Sequence, residues 1–297
     1  MPGGETPPRG ALITLRRRGC RLASLFGARR EVLRPVFIVG CGRSGTTVLG
    51  NALGRHPDVA YLNEPRHLWT ASYPETDIWS PRAAEHGGRL ELGRSDVDPA
   101  RSGRLHSLFY CETRALDAQV LVEKLPANNF RLEFLDAIFP DARYIHILRN
   151  GLEVARSIER MADEGAWYGN GDYKWARLVE YCRAREDYRE LPDLCSTDFL
   201  KGLLEWRVSV DAALSFLEGA SDRSLGLTYT ELLDEPVGTM SRIESFLGLK
   251  PAEEVHRFAS ARLARRTSKI GPRPLTPPEE RIAGELLRRL GYTTDQA

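Results

Sequence analysis

The segment from Val36 to Thr47 constrains the fold of this 297-residue chain more than any other feature. An apolar run, VFIV, ends in the glycine-rich sequence GCGRSGTT, and an amphipathic segment follows. A glycine-rich turn between an apolar strand and a helix is typical of phosphate-binding loops in α/β proteins. Thr46 occupies the position where nucleoside triphosphate enzymes carry a lysine. The loop is therefore predicted to hold a 5′-phosphate group of some other nucleotide, with Arg43 supplying positive charge.

The order of apolar and amphipathic segments along the chain predicts an α/β fold. Short apolar runs predict strands at 36–39, 59–62, 120–123, 144–148 and 225–229, with helices between them. This alternation predicts a parallel sheet flanked by helices, with ligands bound at the carboxyl ends of the strands. Four polar side chains fall just after predicted strands at that edge: Arg43, Glu64, Lys124 and Arg149.

The domain organisation follows from composition. With 42% hydrophobic and 28% charged residues, the chain suits a globular domain, predicted at residues 35–297. Two insertions at about 66–118 and 163–198 are rich in aromatic residues. They are expected to be irregular or helical and to form the side that receives an acceptor. Residues 1–34, rich in Pro, Gly and Arg, are predicted to form a basic flexible arm.

Charge and cysteine content narrow the classes of partner. The 42 basic against 41 acidic residues give no bias towards nucleic acid, and no segment has the apolar length of a transmembrane helix. Five scattered cysteines without a Cys-x-x-Cys pair argue against a disulfide framework or a zinc cluster and favour a reducing cytoplasm. Cys41 is interpreted as a small residue filling the turn. No acidic cluster is evident, so no metal is expected, and a homodimer is compatible with the sequence.

A second motif, RYIHILRNGLEVARSI at residues 143–158, completes a recognisable pattern. Arg149 closes a predicted strand, and Ser157 lies eight residues later inside the following helix. Together with the glycine-rich loop, this pair resembles sulfotransferases that use 3′-phosphoadenosine 5′-phosphosulfate (PAPS), especially tyrosylprotein-like and bacterial members. The resemblance implies that PAPS is the co-substrate and that Arg149 and Ser157 bind its 3′-phosphate. It implies that the 5′-phosphosulfate is held by Gly42, Arg43, Ser44, Gly45, Thr46 and Thr47.

Two further stretches resemble the segments that carry the chemistry in that family. VEKLPANNFRLEFLDAIFPDAR is similar to the segment with a lysine beside the transferring sulfuryl group, which Lys124 matches. HPDVAYLNEPR is similar to the segment with a glutamate base, which Glu64 matches. The resemblance implies that Glu64 takes the acceptor proton while Lys124 and Arg43 stabilise the leaving phosphate. His67 stays an alternative base, since other branches of the family use histidine.

The C-terminal third adds weaker matches. Tyr229 corresponds to a tyrosine that touches the adenine in the family, although Thr230 interrupts the surrounding pattern. Arg265 and Lys269, followed by Gly271, resemble a basic loop that completes the 3′-phosphate site. The family's full glycine pattern is absent there, so a solvated charge cluster is the alternative interpretation.

The sequence leaves more than one possibility for the acceptor and for the function. Aromatic residues at 69–79 and 167–175 are suited to stacking on a sugar, a phenol or a lipid-like natural product, or to packing a lid. The acceptor is expected to be a small molecule, glycan or natural product with a hydroxyl or amine. A P-loop kinase-like enzyme is one other function, disfavoured by Thr46. A non-catalytic nucleotide-binding relative is another, disfavoured by the intact Arg43, Lys124 and Glu64.

Overall fold

A five-stranded parallel sheet lies at the centre of the protein. The computed structural model describes residues 9–26, 34–165, 167–263 and 273–293. The strands are β1 (Val36–Val39), β2 (Val59–Asn63), β3 (Val120–Lys124), β4 (Arg143–Leu148) and β5 (Ser224–Thr228). Their order across the sheet is β2-β3-β1-β4-β5, and every neighbouring pair is parallel. The predicted α/β fold is confirmed, and each predicted strand lies within one residue of its observed bounds.

Helices flank the sheet. They are α1 (Arg9–Phe26), α2 (Thr46–Leu53), α3 (Arg66–Ser72), α4 (Pro99–Ala115), α5 (Leu132–Ile138), α6 (Gly151–Asp163), α7 (Tyr173–Arg183), α8 (Asp198–Glu218), α9 (Tyr229–Asp234), α10 (Pro236–Leu247) and α11 (Glu253–Arg262). A C-terminal helical stretch comprises α12 (Pro277–Glu279), a π-helical turn (Glu280–Gly284) and α13 (Glu285–Arg289). None of the helices described here is long and apolar enough to cross a membrane.

The central strand β1 is buried on both faces. Phe37 and Val39 belong to one hydrophobic cluster, whereas Val36 and Ile38 belong to the cluster on the opposite face. Successive side chains of a strand point to opposite faces, so an all-apolar strand requires cover on both sides. The fully buried β1 therefore gives the glycine-rich loop at its carboxyl end a rigid support.

Helix α6 begins directly after the turn that carries Arg149. The Asn150 side chain accepts a hydrogen bond from the Leu152 backbone N–H at 2.9 Å, which caps the helix. The helix packs along α8, and its buried face includes Ser157. This cap sets the point at which the chain leaves β4 and so places Arg149 at the edge of the sheet.

Helices are present in the described part of the N-terminal segment and in both insertions. Residues 9–26 of the expected flexible arm form α1, and the insertions contain α3, α4 and α7. The scattered cysteines argue against a disulfide, yet Cys20 and Cys111 form one that joins α1 to α4, with their Cα atoms 5.5 Å apart. Arg17 and Arg21 also pair with Glu112 of α4, at 2.7 and 2.9 Å. A partner 91 residues away leaves no local signal in the sequence.

Candidate active site

The glycine-rich loop joins β1 to the N-terminus of α2. Gly40 opens the loop with φ +152°, and its N–H donates to Asn129 Oδ1 at 2.9 Å. Gly45 closes the loop as the N-cap of α2 with φ +99°, a conformation that favours glycine. Thr46 is the first residue of the helix and Thr47 the second. Unpaired N–H groups at a helix N-terminus attract anions, so the loop has the geometry that a phosphate group needs.

A buried hydroxyl in this loop also fits an anionic ligand. Ser44 is 1% exposed, and its Oγ has no hydrogen-bond partner within the part of the chain that the structure describes. Leaving a buried polar group unpaired costs about 1–3 kcal/mol, so such groups usually have a partner. A phosphate oxygen at the loop would accept the Ser44 hydrogen bond.

The two predicted phosphate-binding elements contact each other. Arg43, exposed at the mouth of the loop with φ +72°, donates from Nε to Ser157 Oγ at 3.0 Å. Arg149 donates from Nη1 to the carbonyl oxygen of Arg43 at 3.0 Å. It also pairs with Glu153 on α6, at 2.9 Å. The structure therefore brings together the residues that the sequence assigns to separate phosphate groups.

Tyr229 forms a wall beside the same loop. It begins α9 just after β5, and a Cβ added at Gly45 would lie 2.5 Å from its ring. The Arg149 guanidinium carbon lies 4.3 Å from the centre of that ring. The predicted adenine contact thus lies next to the phosphate loop. Arg265 and Lys269, predicted to complete the 3′-phosphate site, lie outside the described residues.

Glu64 and Lys124 meet on the other side of the loop. Lys124 ends β3, the neighbour of β1, and is only 1% exposed, so its side chain is shielded from solvent. Its Nζ donates to Glu64 Oε1 at 2.6 Å. Arg66 donates to the other carboxylate oxygen, also at 2.6 Å. Glu64 has φ +48°, a costly conformation for a non-glycine residue that is often found at functional sites.

The charges around Glu64 determine its protonation state. Burial by itself raises the pKa of Glu64, but the Lys124 ammonium and the Arg66 guanidinium outweigh burial and hold the pKa below its usual value. The Glu64 carboxylate is therefore ionised at neutral pH, which is the form that accepts a proton. Burial lowers the pKa of Lys124, and the nearby Glu64 and Glu123 carboxyls oppose that shift.

A cavity of about 230 Å³ lies between the glycine-rich loop and Glu64. Aromatic and charged side chains from both insertions line it. They include Arg66, Trp79, Trp167 and Lys174, with Glu205 from α8. His67 is exposed and borders a different cavity, on the side of Glu64 that faces α1. The structure therefore brings Glu64, and not His67, to the cavity beside the phosphate loop.

Asn129 supports the glycine-rich loop, and the sequence does not single it out. It lies in the 3₁₀ turn Pro126–Phe130 after β3, where it accepts from the Gly40 N–H and donates to Ser209 Oγ of α8. Both Asn129 and Ser209 are 2% exposed. The only signal in the sequence is a pair of asparagines just after a strand, and their tertiary partners are not visible there.

A family model described as the sulfotransferase family matches residues 35–254. The chain belongs to the sulfotransferase family. This confirms the family resemblance of the two motifs and places the loop, Glu64 and Lys124 within the matched region.

Individual relatives of this sulfotransferase family member are distant. The nodulation protein NoeE of Sinorhizobium fredii is 29% identical over 132 residues, 41% of this chain and 30% of NoeE. Protein-tyrosine sulfotransferase 1 of Danio rerio is 29% identical over 152 residues, 49% of this chain and 42% of that protein. This chain therefore spans less than half the length of either relative.

A solved structure shares the fold. The sulfotransferase domain from the Synechococcus PCC 7002 olefin synthase superposes with a TM-score of 0.54 at 17% identity. The match covers 91% of this chain and 98% of that domain. At this identity the likeness concerns the fold alone.

Proposed function

We propose that this protein transfers a sulfuryl group from PAPS to a hydroxyl or amine group of a small acceptor. Family membership gives the reaction class. The observation that carries the proposal is one cavity of about 230 Å³ bordered by Gly42 and Arg43 of the loop and by Glu64. An anion-binding loop and an ionised carboxylate therefore face the same small space, as transfer between two bound molecules requires.

The donor-binding residues fit a nucleotide with two separate anionic ends. The loop N–H groups, the Ser44 hydroxyl and the threonines Thr46 and Thr47 would hold the 5′-phosphosulfate. Arg149 and Ser157 would hold the 3′-phosphate, with Tyr229 against the adenine. The contacts among Arg43, Ser157 and Arg149 support this assignment, because they place all three beside the loop.

Lys124 and Glu64 divide the chemistry of transfer between them. When the sulfur–oxygen bond to the phosphate breaks, negative charge develops on the phosphate oxygen, as in phosphoryl transfer. The buried Lys124 ammonium would stabilise that charge together with Arg43, since a preorganised cation in a site that excludes water is effective. Glu64 would take the proton from the acceptor as the new sulfur–oxygen or sulfur–nitrogen bond forms.

The cavity suggests the size of the acceptor group. A cavity of about 230 Å³ with Trp79 and Trp167 in its lining suits one ring of a sugar, a phenol or a comparable natural product. Arg66 pairs with Glu64 and Lys174 pairs with Glu205 in the lining, so these charges offset each other. Such a lining suits an acceptor with neutral polar groups.

The test is a transfer assay with isotopically labelled PAPS. The purified protein is incubated with PAPS and a panel of sugars, phenols, amines and natural products, and products are detected by mass. We expect sulfated product from at least one acceptor class, formed about 100-fold or more slowly by the Lys124→Ala variant. Labelled ATP in place of PAPS should label nothing. Phosphorylated product from ATP, or absence of binding to PAPS and to adenosine 3′,5′-bisphosphate (PAP), would contradict the proposal.

A further inference from the structure

Trp167 contacts the glycine-rich loop, lines the cavity and is hydrogen-bonded to a buried ion pair. It lies in the connection between α6 and α7, where Gly165, Gly169, Gly171 and Asp172 all have φ between +56° and +79°. Positive φ angles of this kind are typical of tight turns, where Gly and Asp are favoured. The Trp167 indole lines the cavity beside the glycine-rich loop.

The indole packs directly onto the phosphate loop. A Cβ added at Gly42 would lie 2.5 Å from ring atom Cη2 of Trp167, closer than real carbon atoms approach. Only glycine at position 42 therefore leaves room for the ring. This contact ties the position of Trp167 to the position of the proposed 5′-phosphosulfate site.

A buried ion pair holds the other edge of the indole. Trp167 Nε1 donates to Glu205 Oε2 at 2.8 Å, and Lys174 Nζ donates to Glu205 Oε1 at 2.6 Å. Lys174 Nζ also lies 4.2 Å from the centre of the Trp167 ring, a cation–π distance. Lys174 and Glu205 are 7% and 4% exposed. Burying a charge pair is costly, and neither phosphate binding nor proton transfer uses this pair.

We propose that Trp167 is a positioning residue that closes the cavity over the glycine-rich loop and keeps water away from the sulfuryl group. The Lys174–Glu205 pair holds the Trp167 indole in place. The inference rests on the proposed function. Water is smaller than any acceptor and is present at far higher concentration, so a sulfotransferase needs such a wall to avoid wasting its donor. Removing the indole opens the cavity beside Glu64, the proposed proton acceptor.

The side reaction that Trp167 suppresses is hydrolysis of the donor. The water oxygen forms the new sulfur–oxygen bond, and the sulfur–oxygen bond to the 5′-phosphate breaks with its electron pair on the phosphate oxygen. One water proton passes to Glu64 and then to solvent, and the products are PAP and inorganic sulfate. This reaction needs no identified acceptor, so it tests the inference directly.

The experiment measures sulfate release from PAPS without acceptor, and PAP binding by calorimetry, in the full chain. Trp167→Ala should release sulfate about fivefold faster than wild type, with a PAP Kd within about threefold of wild type. Trp167→Phe keeps a ring against Gly42 but loses the N–H bonded to Glu205, and should lie between the two. Phe258→Ala, a ring truncation on α11 that lines a separate groove, should match wild type.

The outcomes separate this inference from the proposed function. Failure of the wild-type protein to bind PAP would overturn both. Normal PAP binding with unchanged or slower sulfate release in Trp167→Ala would overturn the role of Trp167 alone, as would equal acceleration in Phe258→Ala. If circular dichroism shows that Trp167→Ala is unfolded, Trp167→Phe decides: faster release supports the inference and an unchanged rate overturns it.

Discussion

Lys124 contacts Glu64 through both its backbone and its side chain. Its carbonyl oxygen accepts a hydrogen bond from the Glu64 N–H at 2.7 Å, and its Nζ donates to Glu64 Oε1 at 2.6 Å. The parallel register of β2 and β3 places Asn63 opposite Lys124, so the next residue falls beside the lysine. The separation of the proposed base and the proposed cation is therefore set by the sheet, and substitution can test the two roles separately.

Lys124→Ala should lower kcat about 100-fold or more and change the PAP Kd by no more than a few-fold. The lysine is proposed to act on charge that appears only in the transition state, where one preorganised donor contributes about 10²–10³ in rate. Because the Lys124 charge also depresses the pKa of Glu64, the acid limb of the pH–rate profile should move to higher pH. Steady-state kinetics and calorimetry measure these effects.

The control for that substitution is Lys250→Ala, an exposed lysine in a groove away from the site. It should behave as wild type. A Lys124→Ala enzyme with normal kcat and a raised KM for PAPS would show that the lysine only binds the donor.

Glu64→Gln should abolish most transfer while keeping the fold and the PAP affinity. Glutamine preserves size and hydrogen bonding but cannot accept the proton. His67→Ala should keep near-normal turnover, because His67 is exposed and does not border the cavity beside the loop. Turnover numbers of both variants with the same acceptor show which of the two residues is the base. An active Glu64→Gln enzyme beside an inactive His67→Ala enzyme would assign the base to the histidine.

The sheet and the loop are predictable because their signals are local. The run Val36–Val39 is apolar throughout, as a strand buried on both faces requires, and the glycines after it end the strand. Glu64 and Lys124 are predictable as neighbours for a related reason. The carboxyl ends of parallel strands share one edge of the sheet, so a polar residue after each strand meets the others there.

Contacts between distant segments are not predictable in the same way. Gly42 and Gly45 are recognisable as glycines of a turn, but their second role is to accept the rings of Trp167 and Tyr229. Those rings come from segments more than 120 residues away, and tertiary packing alone determines which aromatic residue contacts each glycine. The Cys20–Cys111 disulfide cannot be predicted from the sequence for the same reason.

PAP should bind the wild-type protein at least about tenfold more tightly than 5′-AMP, and Arg149→Ala should remove most of that difference. A charge-assisted hydrogen bond to phosphate contributes about 1.5–3 kcal/mol, which corresponds to tenfold or more. Calorimetry with both nucleotides measures the ratio. Arg156→Ala on α6, the helix that follows Arg149, removes an exposed arginine paired with Glu159 and should leave the ratio of PAP to 5′-AMP affinity unchanged.

Ser157→Ala serves as a second variant, because Arg149 also supports the loop through the Arg43 carbonyl. Ser157→Ala should reduce the ratio of PAP to 5′-AMP affinity while leaving the 5′-AMP affinity near wild type. Equal affinity of the wild-type protein for the two nucleotides would remove the basis for a 3′-phosphate site.

Glu123, the neighbour of Lys124 on β3, should make stability fall as pH rises. The side chain is fully buried, and burial raises its pKa to about 8 against the opposing hydrogen bonds from Trp69 and Asn128. An unfolded glutamate has a pKa of about 4.3. Between these values the folded protein holds a proton that the unfolded chain has lost. The contribution of Glu123 to stability is therefore greatest at low pH and decreases by up to about 1.4 kcal/mol per pH unit towards pH 8.

Glu123→Gln should remove this dependence, because glutamine stays neutral at every pH. Its Oε1 would accept from Trp69, and its amide would face Asn128, whose Oδ1 is buried without a partner among the described residues. Rotation of the Asn128 amide would pair the two, so the fold should tolerate the change. Urea unfolding at pH 5.5 and pH 7.5 should show the variant gaining about 2 kcal/mol relative to wild type between the two pH values.

The difference between variant and wild type isolates the site of Glu123, because buried groups that do not interact with Glu123 titrate equally in both proteins. His146, whose pKa burial lowers to about 4, changes stability in the opposite direction below pH 6.5 and cancels in the comparison. Glu253→Gln, at an exposed carboxylate on α11, is the matched control and should give no pH-dependent difference. Parallel stability curves for Glu123→Gln and wild type would mean that Glu123 is already ionised in the folded protein, with Lys124 as the charge that compensates it.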